Sequence, residues 1–81
     1  MNKRFIIIGR SSCPYCIFAA DFCSAQSIEY IFLDYNQKEE ILEEYKEFHN
    51  QKTVPIILSN DLSTGEVNKV GGYSDLLGLF S

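Results

Sequence analysis

The stretch Phe5-Ile6-Ile7-Ile8-Gly9-Arg10-Ser11-Ser12-Cys13-Pro14-Tyr15-Cys16 joins an apolar run, stopped by a glycine, to two cysteines at positions i and i+3. The run over residues 3–9 is rich in Phe and Ile on both alternate faces, the pattern of a strand buried on both sides in a parallel sheet. From Pro14 to about Gln26 the small and apolar residues Cys16, Ile17, Ala19, Ala20 and Cys23 recur at helical spacing, which predicts a helix with Pro14 at its first position. A buried strand that turns straight into a helix starting at a cysteine pair is the feature from which the rest of the chain can be read.

Working toward the C-terminus, residues 28–33 supply a second strand of β-branched and aromatic residues, followed by Asp34-Tyr35-Asn36 as punctuation. Asn36 is suited to cap a second helix, with Glu39 at the third position as in a capping box. Ile41, Leu42, Tyr45 and Phe48 would form its inward face, and the helix would end near His49-Asn50. Strand, helix and strand then make a βαβ unit with a right-handed crossover. Residues 54–59 and 66–70 read as an antiparallel hairpin around a polar turn at 60–65. Gly71-Gly72 breaks the last strand, and Ser74 or Asp75 would cap a short closing helix through Leu76, Leu77, Leu79 and Phe80. The predicted order is βαβαββα, an α/β architecture with a four-stranded mixed sheet and three helices.

Bulk properties narrow the function. A chain of 81 residues buries only roughly two-thirds of its unfolded surface, so residues 1–81 are expected to form one domain with one core. A net charge of -4 argues against nucleic-acid binding, which draws on Lys and Arg displacing counterions. The apolar run after Lys3-Arg4 is shorter than the about 7 residues a signal peptide needs, and no run nears the ~20 of a membrane span. Three cysteines, two of them close together, do not make the framework of a disulfide-stapled secreted domain, so a reducing, cytoplasmic setting is expected. The Glu-rich stretch 39–47 fits the wet face of a helix.

Disulfide exchange needs an exposed thiol that is readily ionised, because the thiolate is the nucleophile. A helix start supplies free N–H groups and the positive end of the macrodipole, so an anion is favoured at Cys13. Cys16 lies one turn on, on the same side, within reach of a short disulfide, and can resolve what Cys13 captures. Pro14 gives up an N–H that had no intrahelical partner and holds helical φ. Arg10 adds a cation able to steady the thiolate or an anionic substrate. The competing use of such a spacing is a structural zinc knuckle, for which only Cys23 and His49 remain as further ligands. Cys23 shares the inward face of the first helix and fits apolar packing, and His49 fits a helix end group.

At this point the residues resemble the glutaredoxins, within the thioredoxin-like superfamily. Cys13-Pro14-Tyr15-Cys16 is similar to the reactive motif of the dithiol class. Thr53-Val54-Pro55 looks like the family's cis-proline loop, and Gly71-Gly72-Tyr73-Ser74-Asp75-Leu76 like its Gly-Gly turn and acidic helix start. The resemblance implies a thioredoxin-like fold and a glutathione-dependent thiol–disulfide oxidoreductase taking part in electron transport and cell redox homeostasis. Glutathione would be a co-substrate, with no cofactor or metal bound.

It also implies a glutathione site. Arg10 and Lys52 would meet the glycine carboxylate, and the backbone of Thr53 and Val54, turned by a cis bond before Pro55, would pair with the cysteine moiety. Tyr15 would flank the ligand, while Gly72, Ser74 and Asp75 would hold the γ-glutamyl end; Pro14 and Gly71 would be structural. Implied partners are glutathionylated or disulfide-bearing proteins, ribonucleotide reductase being a frequent family client, met by a monomer. Ile17 and Phe18 depart from the family, which often has polar or basic residues there. Two other readings stay open: a thioredoxin-like protein reduced by a flavoprotein reductase, and a carrier of a [2Fe–2S] cluster ligated through Cys13 and glutathione.

Overall fold

The computed structural model describes residues 2–81. Strand β1 (Lys3–Gly9) lies inside a four-stranded sheet, parallel to β2 (Tyr30–Asp34) on one side and antiparallel to β3 (Ile56–Asp61) on the other. Strand β4 (Val67–Gly71) pairs antiparallel with β3 at the edge, giving the order β2-β1-β3-β4. Helices α1 (Pro14–Ala25), α2 (Glu39–Phe48) and α3 (Tyr73–Gly78) complete the predicted βαβαββα order.

The alternation along β1 explains why its apolar run has no polar gap. Phe5 and Ile7, with Ile57 of β3, face α1 and α3 and pack on Ala19, Ala20, Cys23 and Leu76. Ile8, with Ile56 and Leu58 of β3, faces the opposite way and packs on Leu42 of α2. Successive residues of a strand point to opposite faces, so a strand covered by helices on both sides must be apolar throughout. Each fully buried Ile or Leu contributes about 1.5–3 kcal/mol relative to exposure, and Ile7, Ile8, Ile56, Ile57, Leu42 and Leu76 are all sealed from solvent.

Both longer helices end in the same hydrogen-bonded motif, which moves the boundaries expected from sequence. After α1, Ser27 adopts a left-handed φ of 56°. Its N–H bonds to Ser24 and that of Ile28 to the carbonyl of Cys23, a Schellman ending that satisfies orphan carbonyls. Ile28 is thereby spent on the helix end, and β2 begins at Tyr30 rather than at residue 28. After α2, Asn50 takes φ 52°, and the N–H of Gln51 reaches the carbonyl of Lys46.

Four expectations about α2 and α3 are corrected. The N-cap of α2 is Lys38, not Asn36, because the N–H of Asn36 bonds to Asp34 Oδ1 and its own Oδ1 accepts from Ser12 Oγ at 2.6 Å. Phe48 is 83% exposed rather than inward, since it lies six positions past Leu42, about one and two-thirds turns round; His49, seven past Leu42, takes the inner side and stacks on Tyr45. Gly72 is the N-cap of α3, with Asp75 Oδ2 accepting its N–H at 2.8 Å, so Asp75 acts from the third position instead of capping directly. Leu79 and Phe80 lie past the end of α3. The hairpin strands are also shifted, because β3 runs on through Asp61 and β4 through Gly71. Among the described residues no helix is long and apolar enough to cross a membrane.

Candidate active site

Strand β1 delivers the chain to the reactive motif through residues 10–12, and this short loop is tied to the end of β2. Tyr35 donates its N–H to the Gly9 carbonyl at 2.8 Å, Ser11 donates to Asp34 Oδ1 at 3.0 Å, and Arg10 pairs with Glu39 of α2 at 2.8 Å. The Asp34 carboxylate accepts from both Ser11 and Asn36, which holds its pKa below the usual range. Cys13 follows as the N-cap of α1, with extended backbone (φ -93°, ψ 118°), and its carbonyl accepts the N–H groups of Cys16 and Ile17. The first turn of α1 contains no acidic residue, so nothing within it offsets the positive end of the dipole. The half-buried Cys13 Sγ lies 4.0 Å from the carbonyl oxygen of Val54.

Cys16 has a different environment one turn deeper. It is 0% exposed, and its sulfur fits only because residue 9 is a glycine: a Cβ there would overlap Cys16 Sγ. Burial pushes the Cys16 thiol up to about 12, against a hydrogen bond from the Arg10 backbone that pulls it down and with a smaller upward push from the neighbouring Cys13. All three cysteines are free thiols, and burial raises the Cys23 thiol as well. An ordinary thiol titrates near about 8.5, so Cys16 stays protonated at neutral pH. At pH 7.5, iodoacetamide is expected to place one adduct, on Cys13, with Cys16 and Cys23 reacting only in denaturant; peptide mapping that finds Cys16 labelled as fast as Cys13 would contradict this. In the reduced protein the folded chain also keeps protons that the unfolded one releases above about pH 8.5. Stability is therefore full below that pH and declines as pH rises toward 12.

The loop before β3 forms the wall facing Cys13. Val54–Pro55 is a cis peptide. Gln51, placed by the Schellman end of α2, donates through Nε2 to the carbonyls of Thr53 (2.9 Å) and Pro55 (2.8 Å). These two bonds engage the flanking carbonyls and leave that of Val54, between them, beside the sulfur. Gly71 and Gly72 adjoin this loop: Gly71 pairs with Ile57, and the Gly72 backbone passes close to the Pro55 carbonyl. Ser74 and Asp75 are exposed at the start of α3.

Of the residues singled out in the sequence, Cys13, Cys16, Val54 and Pro55 thus meet at one point, with Gly71, Gly72, Ser74 and Asp75 next to them. Pro14 opens α1, and Tyr15 is exposed beside it. Thr53 and Lys52 are exposed on the loop. The guanidinium of Arg10 is directed to Glu39, an ion pair that raises its pKa further, rather than standing alone beside Cys13. Gly9, Asp34 and Gln51 position the site, yet the sequence marks Gly9 and Asp34 only as punctuation after strands and Gln51 not at all, since each acts on a partner distant in the chain. Among the described residues no group of three or more His, Cys, Asp or Glu side chains could hold a metal ion.

The model of the glutaredoxin family matches residues 5–62, well over half of the chain and the span that includes both cysteines and the Thr53-Val54-Pro55 loop. The chain belongs to the glutaredoxin family. Family and fold together make it a thiol–disulfide oxidoreductase with a Cys-x-x-Cys pair. Its fold is similar to that of wheat glutaredoxin, with a TM-score of 0.77 at 20% identity over 94% of this chain and 69% of that one. A buckwheat glutaredoxin–glutathione complex gives 0.76 at 15% identity, covering 96% of this chain and 68% of the other. The dithiolic glutaredoxin 2-C-Grx1 of Trypanosoma brucei brucei gives 0.74 at 25%, covering 96% and 77%. Comparison with curated proteins returns no match. The Gly71-Gly72 turn and the start of α3 lie beyond the matched span, so in this glutaredoxin they enter the site through the fold alone.

Proposed function

We propose that this glutaredoxin reduces glutathione mixed disulfides and protein disulfides at the expense of glutathione, as a single cytoplasmic domain spanning residues 1–81. The observation that carries the reading is the asymmetry of the two thiols: Cys13 is reachable at a helix N-terminus, whereas Cys16 is sealed and protonated beneath it. Cys13 as thiolate attacks the glutathione sulfur of a mixed disulfide. The Cys13–glutathione bond forms, the original S–S bond breaks, and the substrate leaves as a thiolate that takes a proton. A second glutathione thiolate then attacks that sulfur, releasing glutathione disulfide and restoring Cys13. With a protein disulfide, Cys16 attacks the mixed disulfide at Cys13 and gives its proton to the departing substrate thiolate, leaving a Cys13–Cys16 bridge for glutathione to reduce.

Glutathione as reductant is supported by the surroundings of Cys13. The Val54 backbone beside the sulfur offers a peptide-like ligand a hydrogen-bonding edge, and the exposed Ser74 and Asp75 supply polar groups for a ligand's far end. Arg10 would serve a ligand carboxylate while sharing its charge with Glu39. The buckwheat relative in complex with glutathione adds a precedent in the same fold. The test is turnover of a glutathionylated substrate with glutathione as sole reductant, recycled by glutathione reductase. Steady turnover is expected; a rate no higher than the uncatalysed one, alongside good turnover with thioredoxin reductase, would overturn glutathione dependence.

A further inference from the structure

Helix α2 carries two ridges that the exchange mechanism does not use. Ile41, Tyr45 and Phe48 fall within about 60° of one another round the helix, and Glu40, Glu44 and Glu47 make a second ridge alongside. Leu42 is the position sealed against the sheet, which leaves the apolar ridge on the shoulder of the helix and the acidic ridge on its outer side. Between them lies a shallow depression of about 680 Å³, lined by Ile41, Glu44, Tyr45, Glu47, Phe48 and His49. Its rings are ordered against one another: His49 stacks on Tyr45 at 6.3 Å, and Phe48 meets His49 edge-on at 4.9 Å. Phe48 is nevertheless the most exposed large hydrophobic side chain among the described residues.

The charge here is one-sided. Of the five carboxylates of α2, Glu39 pairs with Arg10 and Glu43 with Lys46. Among the described residues, Glu40, Glu44 and Glu47 pair with no cation. Lys69 of β4 approaches the far rim, where its ammonium donates to the His49 carbonyl at 2.7 Å. Burial, together with the Lys69 charge, holds the His49 pKa below its usual range, so the ring is neutral at pH 7. Aromatic faces beside carboxylates without partners are the surroundings that favour a guanidinium or ammonium group. A second copy offering the same ridge, an anionic membrane or a nucleic acid would each bring negative charge to negative charge.

We propose that this side of α2 docks a basic amphipathic helix of a partner protein, with apolar residues covering Ile41, Tyr45 and Phe48 and Arg or Lys side chains meeting Glu40, Glu44 and Glu47. A helix fits because the apolar ridge runs for two turns, about 10 Å, and ridges of this spacing seat in the grooves of another helix. The surface is separate from the reactive cysteine. Helix α2 packs on the opposite face of the sheet from α1, and Arg10 is met by Glu39 at the other end of α2. A partner held along residues 41–48 therefore leaves Cys13 free to react.

The probe is a fluorescently labelled, Ala-based helical peptide of ~20 residues, with Leu along one face and Arg beside it. Two further versions replace the Arg by Glu or the Leu by Ser. Binding to the full wild-type chain is followed by anisotropy and located by amide chemical shifts. The Leu and Arg peptide is expected to bind about tenfold more tightly than the Glu version and about fivefold more tightly than the Ser version, with the shifts gathered on residues 40–49. Phe48→Ala should weaken it about fivefold, and Glu44→Gln combined with Glu47→Gln should weaken it and flatten its dependence on salt. These changes touch exposed side chains, so both variants should melt with wild type and keep its exchange activity. Equal binding of the three peptides, no binding of any, shifts centred elsewhere, or an affinity untouched by Phe48→Ala would overturn the proposal. So would a wild-type chain that sediments as a dimer and becomes monomeric with Phe48→Ala, because the ridge would then belong to a second copy.

Discussion

Cys13→Ser is expected to lower turnover of a glutathione mixed disulfide by on the order of a thousandfold or more, because a serine hydroxyl is not ionised near pH 7 and cannot replace the thiolate. Cys16→Ser should keep much of that activity, since the mixed-disulfide route needs only one thiol in the protein. The same Cys16→Ser change should sharply reduce the reduction of an intramolecular protein disulfide, where the second thiol resolves the intermediate. The structure gives the reason for the split: Cys13 stands at the end of α1 beside the Val54 carbonyl, while Cys16 is buried with its thiol held up to about 12. Equal loss in both variants with the mixed disulfide would mean that the two thiols act as one unit, and the division of roles would fall.

Gly9→Ala is expected to damage both stability and exchange. An added Cβ would overlap the buried Cys16 sulfur and press on its Cβ, with the Pro55 backbone close behind. Overpacking of this kind costs about 1–3 kcal/mol, and each kcal/mol lowers the melting temperature by roughly 4–8 °C in a domain this small. Because the displaced atom is the resolving sulfur itself, closure of the Cys13–Cys16 bridge should slow by more than turnover of a glutathione mixed disulfide does. Gly78→Ala is the matching control: its Cβ meets nothing within 4 Å, at the end of α3. Thermal melts in which Gly9→Ala unfolds together with wild type would show that the sulfur has room the packing denies it.

Much of this architecture was legible because one-dimensional patterns carried it. Uninterrupted Phe and Ile in β1 could only suit a strand covered on both faces, and Cys13-Pro14 at the head of a helical repeat placed the reactive motif correctly. Boundaries were less legible wherever a hydrogen bond from elsewhere took a residue out of its local role. Ile28 looked like strand but closes α1 onto Cys23, and Asn36 looked like a cap but is claimed by Asp34 and Ser12. Phe48 keeps helical spacing with Ile41 and Tyr45, yet it lies well round the helix from Leu42, the sealed position of α2.

The order of elements, the two-faced apolar strand and a cysteine pair at a helix start were properties of the sequence alone, since each depends on spacing between near neighbours. Which of the two thiols is sealed was decided only by the tertiary structure, as was the pairing of Arg10 with Glu39 and the clustering of Tyr73 with Tyr15 and Phe18. The physical reason is that burial, ion pairing and ring packing are relations between side chains far apart in the chain. Their partners are fixed when β1 and β3 pair and bring Gly9, Cys16 and Pro55 against one another.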